Sequence, residues 1–267
     1  MGIAAVTERL LIDYKLDGRV VVLTLNRPDR LNAFDTQLGL DLLNAVEEVQ
    51  DASAVRCIIL TGTGHRAFCV GADLKERRGM TEIQWRAQHR IFERAHRAVR
   101  KSRRPVIGAV NGYALGGGCE LAMSCDFVVA AEGASFGLPE VKRGIIPGVG
   151  GTQLLPRLAP RATALAMLMT GDTIGAGRAV ELGLVIEVAP SEALMDVALA
   201  YATRIAANSP QAVWAARRAL RVGLDANLEA AIEAALPVYE GTVAHPDRDE
   251  GVAAFNEGRE PAFQDLP

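Results

Sequence analysis

From Leu10 to Val188 short apolar runs alternate with segments of helical spacing, and from Ala193 to Ala253 the helical spacing alone remains. A chain of this pattern stacks strands against helices and then adds further helices, which confines it to the α/β class. Leu10–Leu16 alternates apolar with polar, Asp17-Gly18 is a two-residue turn signal and Arg19–Leu25 carries the run Val-Val-Val-Leu-Thr-Leu, so the chain opens with a hairpin. Asp35 can cap a helix carrying Leu38, Leu42, Val46 and Val49, and Cys57–Leu60 follows as a buried strand. Phe68-Cys69-Val70 then runs into Gly71-Ala72-Asp73, and the spacing predicts a helix over Glu82–Arg100. The grammar repeats with strand Val106–Val110, a glycine-rich bend at Gly112–Gly118, helix Cys119–Ser124 and strand Phe127–Ala131. Beyond Thr152 one strand-like piece, Val185–Val188, interrupts the helices. The expected division is a core over 1–192 and a helical region over 193–267, packed together because no low-complexity linker separates them.

With 49% hydrophobic residues in 267, the chain can bury one substantial core, and a net charge of −3 marks no nucleic-acid or anionic-membrane surface. No apolar run approaches the roughly 18 residues that span a bilayer, and Met1–Glu8 lacks the basic start and apolar stretch of a leader. A soluble, cytoplasmic protein is expected. Cys57, Cys69, Cys119 and Cys125 form no Cys-x-x-Cys pair and read as reduced core residues. His89 and His96, seven apart, would share a helix face, but neither they nor His65 and His245 form a His-Glu-x-x-His pair, so no metal is expected.

Three consecutive glycines, Gly116-Gly117-Gly118, follow an apolar strand and precede a helix. Such a run serves either a tight strand-to-helix turn or a bare backbone whose N–H groups face developing negative charge. Neither a Gly-x-Gly-x-x-Gly nor a phosphate-loop pattern accompanies it. Glu120 stands just inside the helix, where a carboxylate also gains from the helix dipole. Glu140 follows in Phe136-Gly-Leu-Pro-Glu, and a second glycine-rich bend, Pro147-Gly148-Val149-Gly150-Gly151, comes next. Two carboxylates beside glycine-rich backbone suit acid and base work when their environments differ.

Gly133-Ala-Ser135-Phe-Gly137 matches a nucleophile elbow, but Pro139 falls where the following helix would start, and Ser135 reads as strand. Eight arginines and lysines crowd Arg86–Arg104 against the single acid Glu93. They read as the solvated face of a helix whose Ile83, Ala87, Ile91, Ala95 and Ala98 turn inward, and nucleic-acid contact is not expected of a chain whose net charge is negative. Trp85 and Trp214 read as core or interface residues.

Four blocks in order, Asn26–Ala33, Ala67–Lys75, Asn111–Ala122 and Phe136–Thr152, together with the tail Asp249–Pro261, resemble the enoyl-CoA hydratase/isomerase (crotonase) family over nearly the whole chain. The resemblance implies a crotonase-like spiral of repeated ββα units with a helical C-terminal region that builds homotrimers, commonly paired into hexamers. It implies an oxyanion hole from the N–H groups of Ala72 and Gly117 for the thioester oxygen of an acyl-CoA. It further implies that Glu120 activates water, Glu140 supplies a proton to C2 and the Gly148 N–H positions the water. Arg30, Leu31 and Ala33 match positions that touch coenzyme A, and the turn Ala72, Asp73, Leu74, Lys75 matches backbone meeting adenine and pantetheine. Coenzyme A enters as part of the substrate, and no cofactor is implied.

Two glutamates favour the hydratases over sibling isomerases and lyases that keep only one, and Gly71–Arg77 with Met80 also resembles a branch that includes methylglutaconyl-CoA hydratases, some of which bind RNA. The implied reaction is reversible hydration of a 2-enoyl-CoA to a 3-hydroxyacyl-CoA in fatty-acid or branched-chain acyl-CoA breakdown.

Overall fold

A computed structural model describes residues 7–266. Met1 to Val6, most of the segment read as lacking a leader, lie outside the described residues. The opening hairpin pairs β1 (Leu10–Lys15) antiparallel with β2 (Val20–Leu25). Asp35 caps α1 (Thr36–Asp51) by accepting from the Leu38 N–H. Three pairs of strands follow: β3 (Cys57–Gly62) with β4 (Ala67–Cys69), then, after α2 (Glu82–Lys101), β5 (Val106–Val110) with β6 (Tyr113–Leu115). The third pair, after α3 (Gly117–Ser124), is β7 (Phe127–Ala131) with β8 (Ser135–Gly137).

Each pair sends its longer strand to one sheet and its shorter strand to another, so the chain winds as a spiral of ββα turns. The six-stranded sheet runs β1-β2-β3-β5-β7, with β10 (Glu187–Ala189) at its edge. The four-stranded sheet runs β4-β6-β8 and ends on β9 (Thr173–Gly175). Helices α4 (Gly151–Leu158) and α5 (Arg161–Thr170) precede β9, and α6 (Ala176–Glu181) leads to β10.

Both faces of the larger sheet are buried, as a mostly parallel sheet requires. Val21, Leu23, Ile58, Leu60 and Val128 face the main core with α1 and α2. Val20, Val22, Ile59, Ile107 and Val129 face Leu194, Ala198 and Ala202 of α7 (Leu194–Ala206). The small residues on α7 let it lie close on the strands, so this first helix after Ala193 completes the sheet's cover. Beyond it come α8 (Pro210–Gly223), α9 (Leu228–Val243) and α10 (Pro246–Glu257).

Two strands escape the reading of the sequence: β6 lies inside the glycine-rich bend and β9 inside the helical stretch. At three residues each they are too short to show a period of two. The α2 face is also rotated from expectation. Ile83 is exposed and Ala87 faces out, while Gln88, Phe92, Ala95, His96 and Val99 turn inward. Burying Gln88 and His96 requires polar partners, which hydropathy alone cannot foresee. Nor is the basic stripe wholly solvated: Arg104 is fully buried and donates to the carbonyls of Gln50 and Ala52 at the end of α1.

No helix among the described residues is long and apolar enough to cross a membrane. The four cysteines are free, and burial pushes the thiols of Cys57, Cys69 and Cys119 up to about 12.

Candidate active site

Parallel pairing of β4, β6 and β8 brings the loops after them to one edge of the smaller sheet. These loops are Val70–Lys75, Gly116 leading into α3, and Leu138 leading into the 3-10 turn Pro139–Arg143. They open on a cavity of about 980 Å³ whose wall includes Ala72, Gly117, Glu120, Glu140 and Gly148. Residues from three turns of the spiral, 76 positions apart at the extremes of this set, thus meet at one place.

Phe34 pairs with the loop by donating to Gly71 O at 2.8 Å and accepting from the Asp73 N–H at 2.7 Å. This bridge consumes the groups on either side of Ala72 and leaves the Ala72 N–H without an acceptor among the described residues. Gly117 is the first residue of α3, where helix geometry supplies no acceptor for an N–H. The two peptides lie close, since a Cβ on Gly117 would sit 3.4 Å from Gly71 Cα and 4.0 Å from the Ala72 nitrogen.

Within the triple glycine each position has its own reason. Gly116 caps α3 with φ of 53°. A Cβ on Gly118 would stand 1.9 Å from Cys69 O, so only glycine fits against β4 there. Gly117 has neither constraint; its bareness keeps the space beside its N–H open.

The carboxylates sit in contrasting surroundings. Glu120 is buried, and its Oε1 accepts from the N–H groups of Val149 at 2.9 Å and Gly151 at 2.7 Å, at the start of α4. Those donors come from the second glycine-rich bend. Glu140 has a buried Oε2 with no hydrogen-bond partner, and a Cβ on Gly116 would lie 3.0 Å from its Oε1. Burial, with the Glu120 charge adding to it, pushes the Glu140 carboxyl up to about 7. One carboxylate is therefore anchored by backbone, and the other is placed to hold and release a proton near neutrality.

Of the further residues singled out from sequence, Leu74 joins the wall. Arg30, Leu31, Ala33, Asp73 and Lys75 lie on the turns running into it. Leu31 is left-handed at φ 52°, and Arg27 clasps the two turns by donating to Ala33 O and to the Asp73 carboxylate. Ser135 sits in β8, away from the wall.

The wall also holds residues the sequence reading did not assign to a site: Phe34, Arg77, Trp85, His89 and His96. Trp85 lines the cavity beneath the Arg77 guanidinium. His96, buried in α2, has Nε2 at 2.9 Å from Gly117 O and Nδ1 at 2.8 Å from Phe92 O, tying α2 to the first turn of α3. The His89 ring fills the space where a Gly148 side chain would go, with its Cε1 2.6 Å from that Cβ position. The seven-residue spacing of His89 and His96 was the available signal for their shared face.

Known proteins similar to this chain include several hydratases. The short-chain-enoyl-CoA hydratase of Clostridium acetobutylicum is 37% identical over 243 residues, covering 91% of this chain and 93% of that protein. The 2,3-dehydroadipyl-CoA hydratase of Escherichia coli is 40% identical over 251 residues, covering 92% and 95%. The crystal structure of enoyl-CoA hydratase from Bacillus anthracis superimposes with a TM-score of 0.93 at 41% identity, covering 96% of this chain and 99% of that one. Residues 15–266 match the enoyl-CoA hydratase/isomerase family, and with its paired sheets, glycine bends and two carboxylates the chain belongs to that family.

Proposed function

We propose that this protein is a hydro-lyase that adds water reversibly across the 2,3 double bond of a 2-enoyl-CoA thioester, giving the 3-hydroxyacyl-CoA. The observation that carries this reading is the pairing of two unlike carboxyls with two open N–H donors around one cavity. The thioester oxygen accepts from Ala72 and Gly117, so the enolate-like charge that builds as C3 is attacked meets fixed dipoles. Glu120, anchored through Oε1, takes the proton from the attacking water, and Glu140 delivers a proton to C2. The Gly148 backbone, backed by His89, helps seat the water. Coenzyme A is held by Arg30, Leu31, Ala33 and the Ala72–Lys75 turn as a handle on the substrate, and the chemistry needs no cofactor.

The same reading assigns the site to residues 1–192 and assembly to 193–267. Leu220, Leu228, Leu236, Tyr239 and Phe255 of the last helices, with Leu224 in the turn between two of them, are exposed, at 53% to 86%, more apolar surface than a solvated appendage calls for. A homotrimer, or a hexamer of two trimers, covers them. Four free cysteines suit a cytoplasmic setting.

The test is spectrophotometric. Adding the protein to crotonyl-CoA should bleach the conjugated thioester absorbance and yield 3-hydroxybutyryl-CoA; an unchanged spectrum with every 2-enoyl-CoA tried would sink the proposal. Light scattering should give three or six times the chain mass, and a monomer at micromolar concentration would refute the assembly.

A further inference from the structure

Gly117 opens α3 with no side chain and neither of the constraints that make its neighbours glycine, so its own residue does little to fix the peptide carrying the N–H donor. An oxyanion donor contributes most when it is aimed before the charge develops. The aim must then come from elsewhere, and His96 is placed to supply it. This side chain is 2% exposed and projects from α2 against the first turn of α3, with Nε2 2.9 Å from Gly117 O. Its ring also packs on Phe34, the centroids lying 5.5 Å apart. Phe34 is the residue whose backbone grips Gly71 and Asp73 on either side of Ala72. One imidazole therefore meets the supports of both N–H groups.

Nδ1 lies 2.8 Å from Phe92 O, so both ring nitrogens face carbonyl oxygens. A neutral imidazole donates to only one of them. Burial holds the ring below its ordinary range although the Glu120 charge pulls the other way, so it carries a single N–H at neutral pH. We propose that His96 is a positioning residue for the oxyanion hole, donating from Nε2 to Gly117 O and bracing Phe34, so that the Gly117 and Ala72 N–H groups stay aimed at one thioester oxygen. This rests on the hydratase reading and adds to it a group that acts through the backbone.

Butyryl-CoA isotope-labelled at its thioester carbonyl reports on the hole by infrared difference spectroscopy, because donors that grip the oxygen lower the carbonyl stretch. Bound to wild type, the band should lie below its position in water. His96→Phe keeps a ring against Phe34 and removes the donor. Its bound band should move back up and kcat on crotonyl-CoA should fall about tenfold or more, while the affinity for butyryl-CoA changes by less than about threefold. His96→Gln, whose amide nitrogen reaches the Nε2 position, should restore part of both signals, and His96→Asn, whose amide nitrogen mimics Nδ1, should restore neither. A wild-type band and kcat in folded His96→Phe overturns the inference, as does no rescue by glutamine or equal rescue by asparagine. Should His96→Phe fail to fold, nitrogen NMR of histidine-labelled wild type decides: a bare Nε2 overturns the assignment and a protonated one sustains it. A lowered band that answers to His96, with no 2-enoyl-CoA hydrated, sinks the hydratase reading and leaves the positioning role standing.

Discussion

The bends at Gly116–Gly118 and Pro147–Gly151 both run into helix N-termini, but their N–H groups end differently. In the second bend Val149 and Gly151 donate to a carboxylate of the chain itself, Glu120. In the first, Gly117 keeps its N–H for the cavity, while its neighbours are glycine for reasons of conformation and close packing. The same backbone chemistry is thus spent internally in one place and kept open in the other. Glycine content alone does not mark an anion site; what matters is whether a residue of the same fold already occupies the donors.

The largest effect that would break this comparison is expected at Gly118. Gly118→Ala forces a methyl onto Cys69 O, and destabilisation of more than about 4 kcal/mol, seen as loss of cooperative melting or of soluble protein, should follow. A variant that melts like wild type would show that packing is not what requires glycine there.

Next come the carboxylates. Glu120→Gln and Glu140→Gln should each lower kcat by about 10²–10⁴ on a 2-enoyl-CoA, the usual worth of a positioned acid or base. Near-normal turnover in either folded variant removes that residue from the mechanism.

Gly117→Ala sharpens the contrast with Gly118. Its methyl meets ordinary contact distances, so the melting temperature should move little, yet the group falls beside both donors. A fall in kcat of about 10²–10³ is expected, with a smaller change in the affinity of a saturated acyl-CoA. Loss of binding and turnover in equal measure would point to a blocked cavity and not to a lost oxyanion hole.

The contrast between the two carboxyls gives a subtler effect of pH. The folded Glu140 carboxyl titrates at about 7, above its unfolded value near 4.3, so between these pH values the native state binds more protons than the unfolded one. The stability it contributes is fully present below about pH 4.3 and is lost as pH rises to about 7. Relative to Glu140→Gln, wild type should therefore melt progressively earlier from pH 5 to pH 8, and its kcat/KM should decline above about pH 7 as the acid ionises. A melting difference that is flat with pH would contradict the raised value. Least of all should be seen for Ser135→Ala, where turnover should stay within about twofold, since Ser135 lies outside the cavity wall.

The sequence alone determined the alternation that makes this an α/β chain, most of its longer strands, the cap at Asp35 and the two glycine bends, because these are encoded by neighbours a few positions apart. It also singled out Glu120 and Glu140 as chemistry-bearing residues. Only the tertiary structure decided that three strand ends converge on one cavity, that Glu120 consumes the donors of the second bend, that Glu140 keeps an oxygen without a partner, and that Arg77 and Trp85 line the same wall. Those features depend on burial and on donors supplied from distant parts of the chain, and a desolvated oxygen exists only once the fold has excluded water around it.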